Sequence, residues 1–535
     1  MNRGLSPGSS AVSLPEGAVP ADTAAQDDIA TLAKGGRTNM LGFLLRLAAT
    51  FPFMLLAGRL YGPALLGRYA YALVVIELVG QICTLGQKRG LAQRLSEDPR
   101  HPSHVIADGM LLSVVIAAIA ALALWLFPAP MFPSGEYTWI DRALVVIIVP
   151  STMIDIALAA LAYRYDVATT VRSRSIVDPW TLSIAAALLW PIGHFGRMPI
   201  LIESGLPIAR ILSVATSALV ALVPLGRAYG WPQRWRPHPL RIARLAMTSA
   251  PVAAADMVEW GTRKLDLAIL GQFATPTALG VYYAAQQVAT LPQKLKTSFE
   301  PILGPVITRA LKDRDYAAIA RQVRQVGFWI TAAQAGIALA LGLPGNGVMG
   351  IFGPRFVGGT GALAFLLAAE VAAATAVVSE AALIYIARKR NLVISVGTIV
   401  VQGALTVAGI ELVENLHLGE LYRDAAAAAA LMLTLCLVSL VKARMLARLL
   451  SERINNWRWS LILAGVPTVL VGWAAKRFLP EWAELIFGVP AILGTWCWII
   501  WHKGFGPDDR VLFRLRGAKV GVADDEITPT RGFGA

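Results

Sequence analysis

Charge is what this 535-residue chain has least of: 15% of its residues are Asp, Glu, Lys or Arg and 56% are hydrophobic. A soluble domain carries about 25% charged residues, so the shortage argues against a set of water-facing domains. Cysteine is nearly missing. Cys83, Cys436 and Cys497 fall in apolar stretches with no paired spacing, which argues against disulfides and zinc. The six histidines are scattered with no H-x-x-x-H pair, and no metal site can be built from them. The first 35 residues lack an apolar core and are rich in Ser, Pro, Gly, Ala and Asp. They do not read as a cleavable signal peptide, and disorder is the expectation there.

What the chain has instead is long uncharged apolar runs, such as Met110–Phe127 and Trp459–Ala475, and a mean hydropathy of +0.58. A run of roughly 18 or more such residues can cross the hydrocarbon core. An all-α membrane protein with about fourteen transmembrane helices is expected. The spans lie near 38–58, 69–92, 105–128, 141–163, 175–193, 205–226, 246–270, 278–299, 325–344, 359–386, 391–412, 424–441, 459–475 and 482–501.

The formal charge of +14 would point to nucleic acid in a soluble protein. Here Lys and Arg collect in every second loop: Lys88 to Arg100, Arg164 to Arg174, Arg227 to Arg244, Lys294 to Arg324, Arg388 to Arg390 and Lys442 to Arg458. The positive-inside bias puts these loops and both termini in the cytoplasm. The excess reads as an orientation signal, with some attraction to anionic lipid, and no nucleic-acid partner is expected.

A repeat divides the chain. Gly58, Pro63, Leu66, Gly67, Tyr69 and Ala72 recur as Gly271, Pro276, Leu279, Gly280, Tyr282 and Ala285 at one offset of 213 residues. The pattern reads as a helix–turn–helix broken at the outer surface by Gly and Pro, with tyrosine anchored at the interface. Six spans separate the copies, an even number, so the repeat is parallel. The expected organisation is a cytoplasmic N-terminus (1–37), an N-lobe of six helices (38–226) and a linker (227–245). A C-lobe of six helices (246–445), helices 13 and 14 (446–503) and a cytoplasmic tail (504–535) follow. Three prolines within eight residues, at 232, 237 and 239, keep the linker from being regular helix.

With those motifs in place the sequence resembles the polysaccharide-transport branch of the multidrug/oligosaccharidyl-lipid/polysaccharide exporter superfamily, the O-antigen and exopolysaccharide flippases. The resemblance rests on Gly58–Ala72 with Leu85-Gly86, on Leu279–Ala285, and on Tyr163–Asp166 leading to Arg172–Pro179. Gly304-Pro305 to Arg324 and Ile351–Phe356 add to it. It implies two six-helix bundles around a central cavity. It also implies alternating access that carries a polyprenyl-pyrophosphate-linked oligosaccharide between leaflets of the bacterial inner membrane. No cofactor is implied beyond a coupling ion, H⁺ or Na⁺. The implied partners are the lipid-linked substrate, membrane lipids and polysaccharide polymerase or co-polymerase machinery.

An ionisable group in mid-membrane costs at least about 2.5–3.5 kcal/mol, so each one is a functional candidate. Span seven holds Asp256, Glu259, Arg263, Lys264 and Asp266, with Trp260 between them. Offsets of 3, 7 and 10 from Asp256 place Glu259, Arg263 and Asp266 on one helical face. Either the set pairs internally and pins the helix, or the face lines the cavity. In the second case Arg263 and Lys264 meet an anion, and the carboxylates couple an ion. Arg46, in span one, falls opposite Glu259 under the 213 offset. Glu77, Asp155, Glu370 and Glu380 are isolated acids, each either a hydrogen-bonding partner or part of a transport path. Arg210 lies near an outer helix end and is expected to snorkel. Val306–Val326 alternates apolar and basic residues and reads as either a helix on the inner surface or a plain basic loop.

Other functions fit the helix count. A polysaccharide polymerase or ligase would carry a large outer loop with catalytic Arg, His or Asp. The outer loops here are short, with no nucleophile–base pair or acidic dyad. A multidrug or peptidoglycan-precursor transporter of the same superfamily is the nearer alternative.

Overall fold

A computed structural model describes residues 50–97, 101–293, 307–308, 310–455 and 457–506. Among them there is no strand. Chain immersed in lipid must satisfy its own N–H and C=O groups, and a helix does so within one segment. The helices are α1 (residues 50–61), α2 (Gly62–Cys83), α3 (Pro102–Leu126), α4 (Trp139–Tyr163), α5 (Val167–Phe195), α6 (Gly205–Tyr229) and α7 (Pro239–Leu270). After them come α8 (Pro276–Gln293), α9 (Tyr316–Gly342), α10 (Thr360–Ile386), α11 (Arg388–Asn415), α12 (Glu420–Leu450), α13 (Trp459–Phe478) and α14 (Glu481–Gly504).

Eleven helices are long and apolar enough to cross a membrane, α1 and α2 counting as one stretch, Thr50–Cys83. The protein is a multi-pass membrane protein. The expected spans overlap these helices together with α7 and α8, but the second ends at Cys83 rather than near 92, a turn through Leu85 and Gly86 leading to a separate helix, Gln87–Glu97, and the first and eighth run partly outside the described residues. The two that fall short of the apolar criterion are α7, which holds five charges over residues 256–266, and α8, which holds Gln286, Gln287 and Gln293.

Proline sets several helix starts. Pro102 and Pro239 stand in the first two positions of α3 and α7, where a missing N–H costs nothing. The linker is therefore shorter than expected, because α7 begins at Pro239 rather than near 246. Between α1 and α2 the backbone passes through a π-turn, Ala57–Tyr61, and then Gly62 at φ 79°. The Gly-Pro break lies where the repeat placed it.

In the first half, α4 packs on α3 and α6, and α5 packs on α6; in the second, α12 packs on α10 and α11, and α9 on α10. The halves meet along α2 against α8, with α7 also touching α2. One buried apolar core spans this junction, with Leu66, Tyr69 and Ile148 from one half and Leu279, Tyr282 and Leu363 from the other. Helices α13 and α14 pair and attach to α9, where Trp496 donates to the Ala332 carbonyl at 2.9 Å.

Two expectations change here. The repeat tyrosines are not interface anchors: Tyr69 is 3% exposed and Tyr282 is fully buried. The apolar side of Val306–Val326 does not lie on lipid in the described part. Ile307, Ile319 and Val323 are buried against Val378, Leu383 and Leu446 of α10 and α12, and α9 already starts at Tyr316. An amphipathic pattern says that one face is covered, not by what.

Candidate functional site: a charged cavity between the halves

The repeat glycines explain how the halves close. A Cβ on Gly67 would lie 1.8 Å from the Pro276 carbonyl oxygen and 2.6 Å from the Gly280 nitrogen. A Cβ on Gly280 would lie 1.9 Å from the Pro63 carbonyl oxygen and 3.0 Å from the Gly67 nitrogen. Each copy touches its counterpart reciprocally, as a two-fold relation requires. Only glycine permits backbones this close. The seal extends through Tyr71, which donates to the Ala268 carbonyl at 3.2 Å and accepts from Gln272, and through Arg59, which donates to the Ile351 carbonyl at 2.9 Å.

Beyond the seal, toward the basic loops, lies a cavity of about 1280 Å³. Helices α1, α2, α5 and α6 line it from one side and α7 to α12 from the other. It reaches the basic-loop end at Tyr385 and Arg388, where both side chains are exposed.

Five of the candidate residues line this space: Glu77, Arg263, Lys264, Glu370 and Glu380. Lys264 Nζ donates to Gln286 Oε1 at 3.2 Å and lies 5.9 Å from the centre of the Tyr283 ring. Glu380 pairs with Lys442 at 3.1 Å and accepts from Asn391 Nδ2 at 3.4 Å. Arg263 is an exposed side chain on the cavity wall.

The other candidates lie elsewhere. Asp256 is 4% exposed and Asp266 fully buried, and neither lines the cavity. Asp266 accepts from the Tyr282 hydroxyl and from Gln286 Nε2 at 3.2 Å. Trp260 is half-buried against the core. The single face expected of α7 is therefore divided. Ten residues of helix carry Asp266 about 80° away from Asp256, toward donors on α8, while Arg263 and Lys264 meet the cavity. Asp155 is bonded to Arg174 on α5, outside the cavity. Arg46 and the Glu259 side chain lie outside the described residues.

Arg210 does not snorkel. It donates to Asp178 Oδ1 at 2.8 Å, on the cavity wall, and Ser213 donates to the same carboxylate. The pair joins α5 to α6. Sequence held a signal for the acid, since Asp178 lies within the Arg172–Pro179 motif, but the pairing spans 32 residues and two helices. Arg388, Asn391 and Lys442 at the cavity mouth were hidden among the basic orientation residues.

Residues 55–338 match the model of a family described as polysaccharide biosynthesis protein. No curated protein sequence matches the chain. Among solved structures the chain is similar to the lipid II flippase MurJ in an inward closed conformation. The TM-score is 0.64 at 12% identity, over 89% of this chain and 99% of that one. A transporter of the MOP superfamily from Pyrococcus furiosus gives a TM-score of 0.55 at 12% identity, over 79% of this chain and 95% of that one. A multidrug resistance MATE transporter in an outward-facing conformation gives 0.52 at 13%, over 78% and 96%. At such identities the likeness establishes the fold. The family match covers more than half of the chain: it belongs to the polysaccharide biosynthesis protein family and carries the fold of the multidrug/oligosaccharidyl-lipid/polysaccharide exporter superfamily.

Proposed function

We propose that the chain is a flippase that moves a polyprenyl-pyrophosphate-linked oligosaccharide across the bacterial inner membrane by alternating access, driven by an ion gradient. The carrying observation is a large charged cavity between two repeat-related halves, sealed at one end by the Gly67–Gly280 contact and reaching the basic loops at the other. In this reading the basic loops are cytoplasmic and the cavity accepts substrate from the inner leaflet.

Arg263 and Lys264 are the anion contacts for the pyrophosphate. A charge-assisted hydrogen bond is roughly twice as strong as a neutral one, and more so where water is scarce. Gln286, Gln287, Asn391 and the carboxylates of Glu77, Glu370 and Glu380 supply the donors and acceptors that sugar hydroxyls need. Tyr385, exposed on the cavity wall, offers a face for a sugar ring. Separation of α2 from α8 opens the outer end, and approach of the halves at the basic end closes the inner one. MurJ, whose fold this chain shares, is a lipid II flippase, and the chain's family is one of polysaccharide biosynthesis; both support a lipid-linked glycan as substrate.

Deletion of the gene, followed by leaflet-resolved analysis of lipid-linked oligosaccharide, tests the reading. Complete repeat units are expected to accumulate on the inner leaflet. Normal export of single repeats with loss of chain length would point to a polymerase instead.

A further inference from the structure

The first turns of α12 hold a carboxylate that the cavity does not use. Asp424 is 1% exposed, and neither of its oxygens has a hydrogen-bond partner. On its own helix, Glu420 stands one turn away and is bonded to Thr275 at 2.8 Å. Arg423, the adjacent cation, is turned away: it donates to the Phe273 carbonyl at 3.2 Å and pairs with Glu414 at 3.3 Å. From α8 comes Tyr282, whose hydroxyl is given to Asp266 of α7. From α10 and α11 the neighbours of the next residues, Ala425 and Ala426, are Gly361 and Gly409. The helix dipole acts within the first turn, and Asp424 is the fifth residue of α12.

A buried carboxylate with no donor and no cation costs several kcal/mol if it stays charged. The ligand that removes this cost without needing space is a proton. We propose that Asp424 is a proton-binding site of the C-terminal half, sealed in this structure and exchanged with the outer aqueous phase when the outer end opens. The bonds Thr275–Glu420 and Arg423–Phe273 close the lid over it. Both Thr275 and Phe273 belong to the turn that leads into Pro276, the residue against which Gly67 packs. Parting α2 from α8 therefore moves the lid that covers Asp424, and proton exchange is tied to the outward-open state. The proposal rests on the alternating-access reading and names its coupling ion as H⁺.

Infrared spectroscopy of the full chain, in vesicles of phosphatidylethanolamine and phosphatidylglycerol, reads the proton directly and requires no substrate. At neutral pH the protein is expected to show a carboxylic-acid C=O band that Asp424→Asn removes and Asp424→Glu shifts. In Gly67→Leu, whose outer end is held apart, the band is expected to disappear as pH is raised, while in the unaltered chain it persists. A band left unchanged by both Asp424 variants overturns the proposal. So does a band that titrates identically with the outer end closed or open. Either result leaves the substrate assays standing, so failure of the proton site and failure of the flippase reading are separable.

Discussion

Arg263 and Lys264 stand side by side on α7, yet they are held differently. Lys264 is tied to Gln286, which in turn donates to Asp266, so its ammonium is positioned by a short polar chain. Arg263 is an exposed side chain on the cavity wall. A hydrogen bond to a charged group contributes about 1.5–3 kcal/mol. Arg263→Ala should thus weaken binding of a pyrophosphate-linked glycan by about 10- to 100-fold, measured as a dissociation constant on purified protein. Arg263→Lys should retain part of the affinity; a full-affinity alanine variant would remove Arg263 from the site. The Asp178–Arg210 pair makes a stability prediction. Both side chains are at most 15% exposed, and removing one partner strands the other charge at a cost of about 3–5 kcal/mol. Asp178→Ala should lower the melting temperature in detergent, and Asp178→Ala with Arg210→Ala should recover most of the loss. The pairing was illegible in the sequence, because residue order says nothing about which helix faces which.

At the scale of elements, the α2–α8 crossing is the part that the proposed alternating access would move. The motif G-x4-P-x2-L-G-x-Y-x2-A was legible as a repeat, and its even span count gave the parallel relation. What it could not show is that the two copies pack on each other, glycine against backbone. A side chain on Gly67 meets the Pro276 carbonyl at once, so Gly67→Leu should hold the outer end apart. Labelling tests this. With Cys83, Cys436 and Cys497 replaced, a cysteine at the cavity residue Leu73 should react with an outside, membrane-impermeant maleimide at least several-fold faster in Gly67→Leu than with Gly67 intact. Equal rates would mean that α2 and α8 do not form the outer gate. Span positions were legible for a simple reason: a bilayer imposes one length and one polarity on every helix. Val306–Val326 was not, since lipid and protein cover an apolar face equally well.

For the whole molecule, two repeat-related halves enclose one charged cavity, and α13 and α14 attach outside it against α9. The division into halves came from the repeat; the cavity lining came only from the fold, which brings together Glu77, Asp178, Arg210, Arg263, Glu370 and Lys442 from six helices. Flipping is the central claim, and purified protein in vesicles tests it most directly. A polyprenyl-pyrophosphate oligosaccharide is placed in one leaflet, and its appearance in the other is followed by accessibility to a membrane-impermeant glycosidase. Equilibration within minutes in vesicles that hold the protein, and slow or absent movement in protein-free vesicles and with Arg263→Ala, is the expected result. Movement at the protein-free rate, with the chain folded and correctly inserted, would contradict the account.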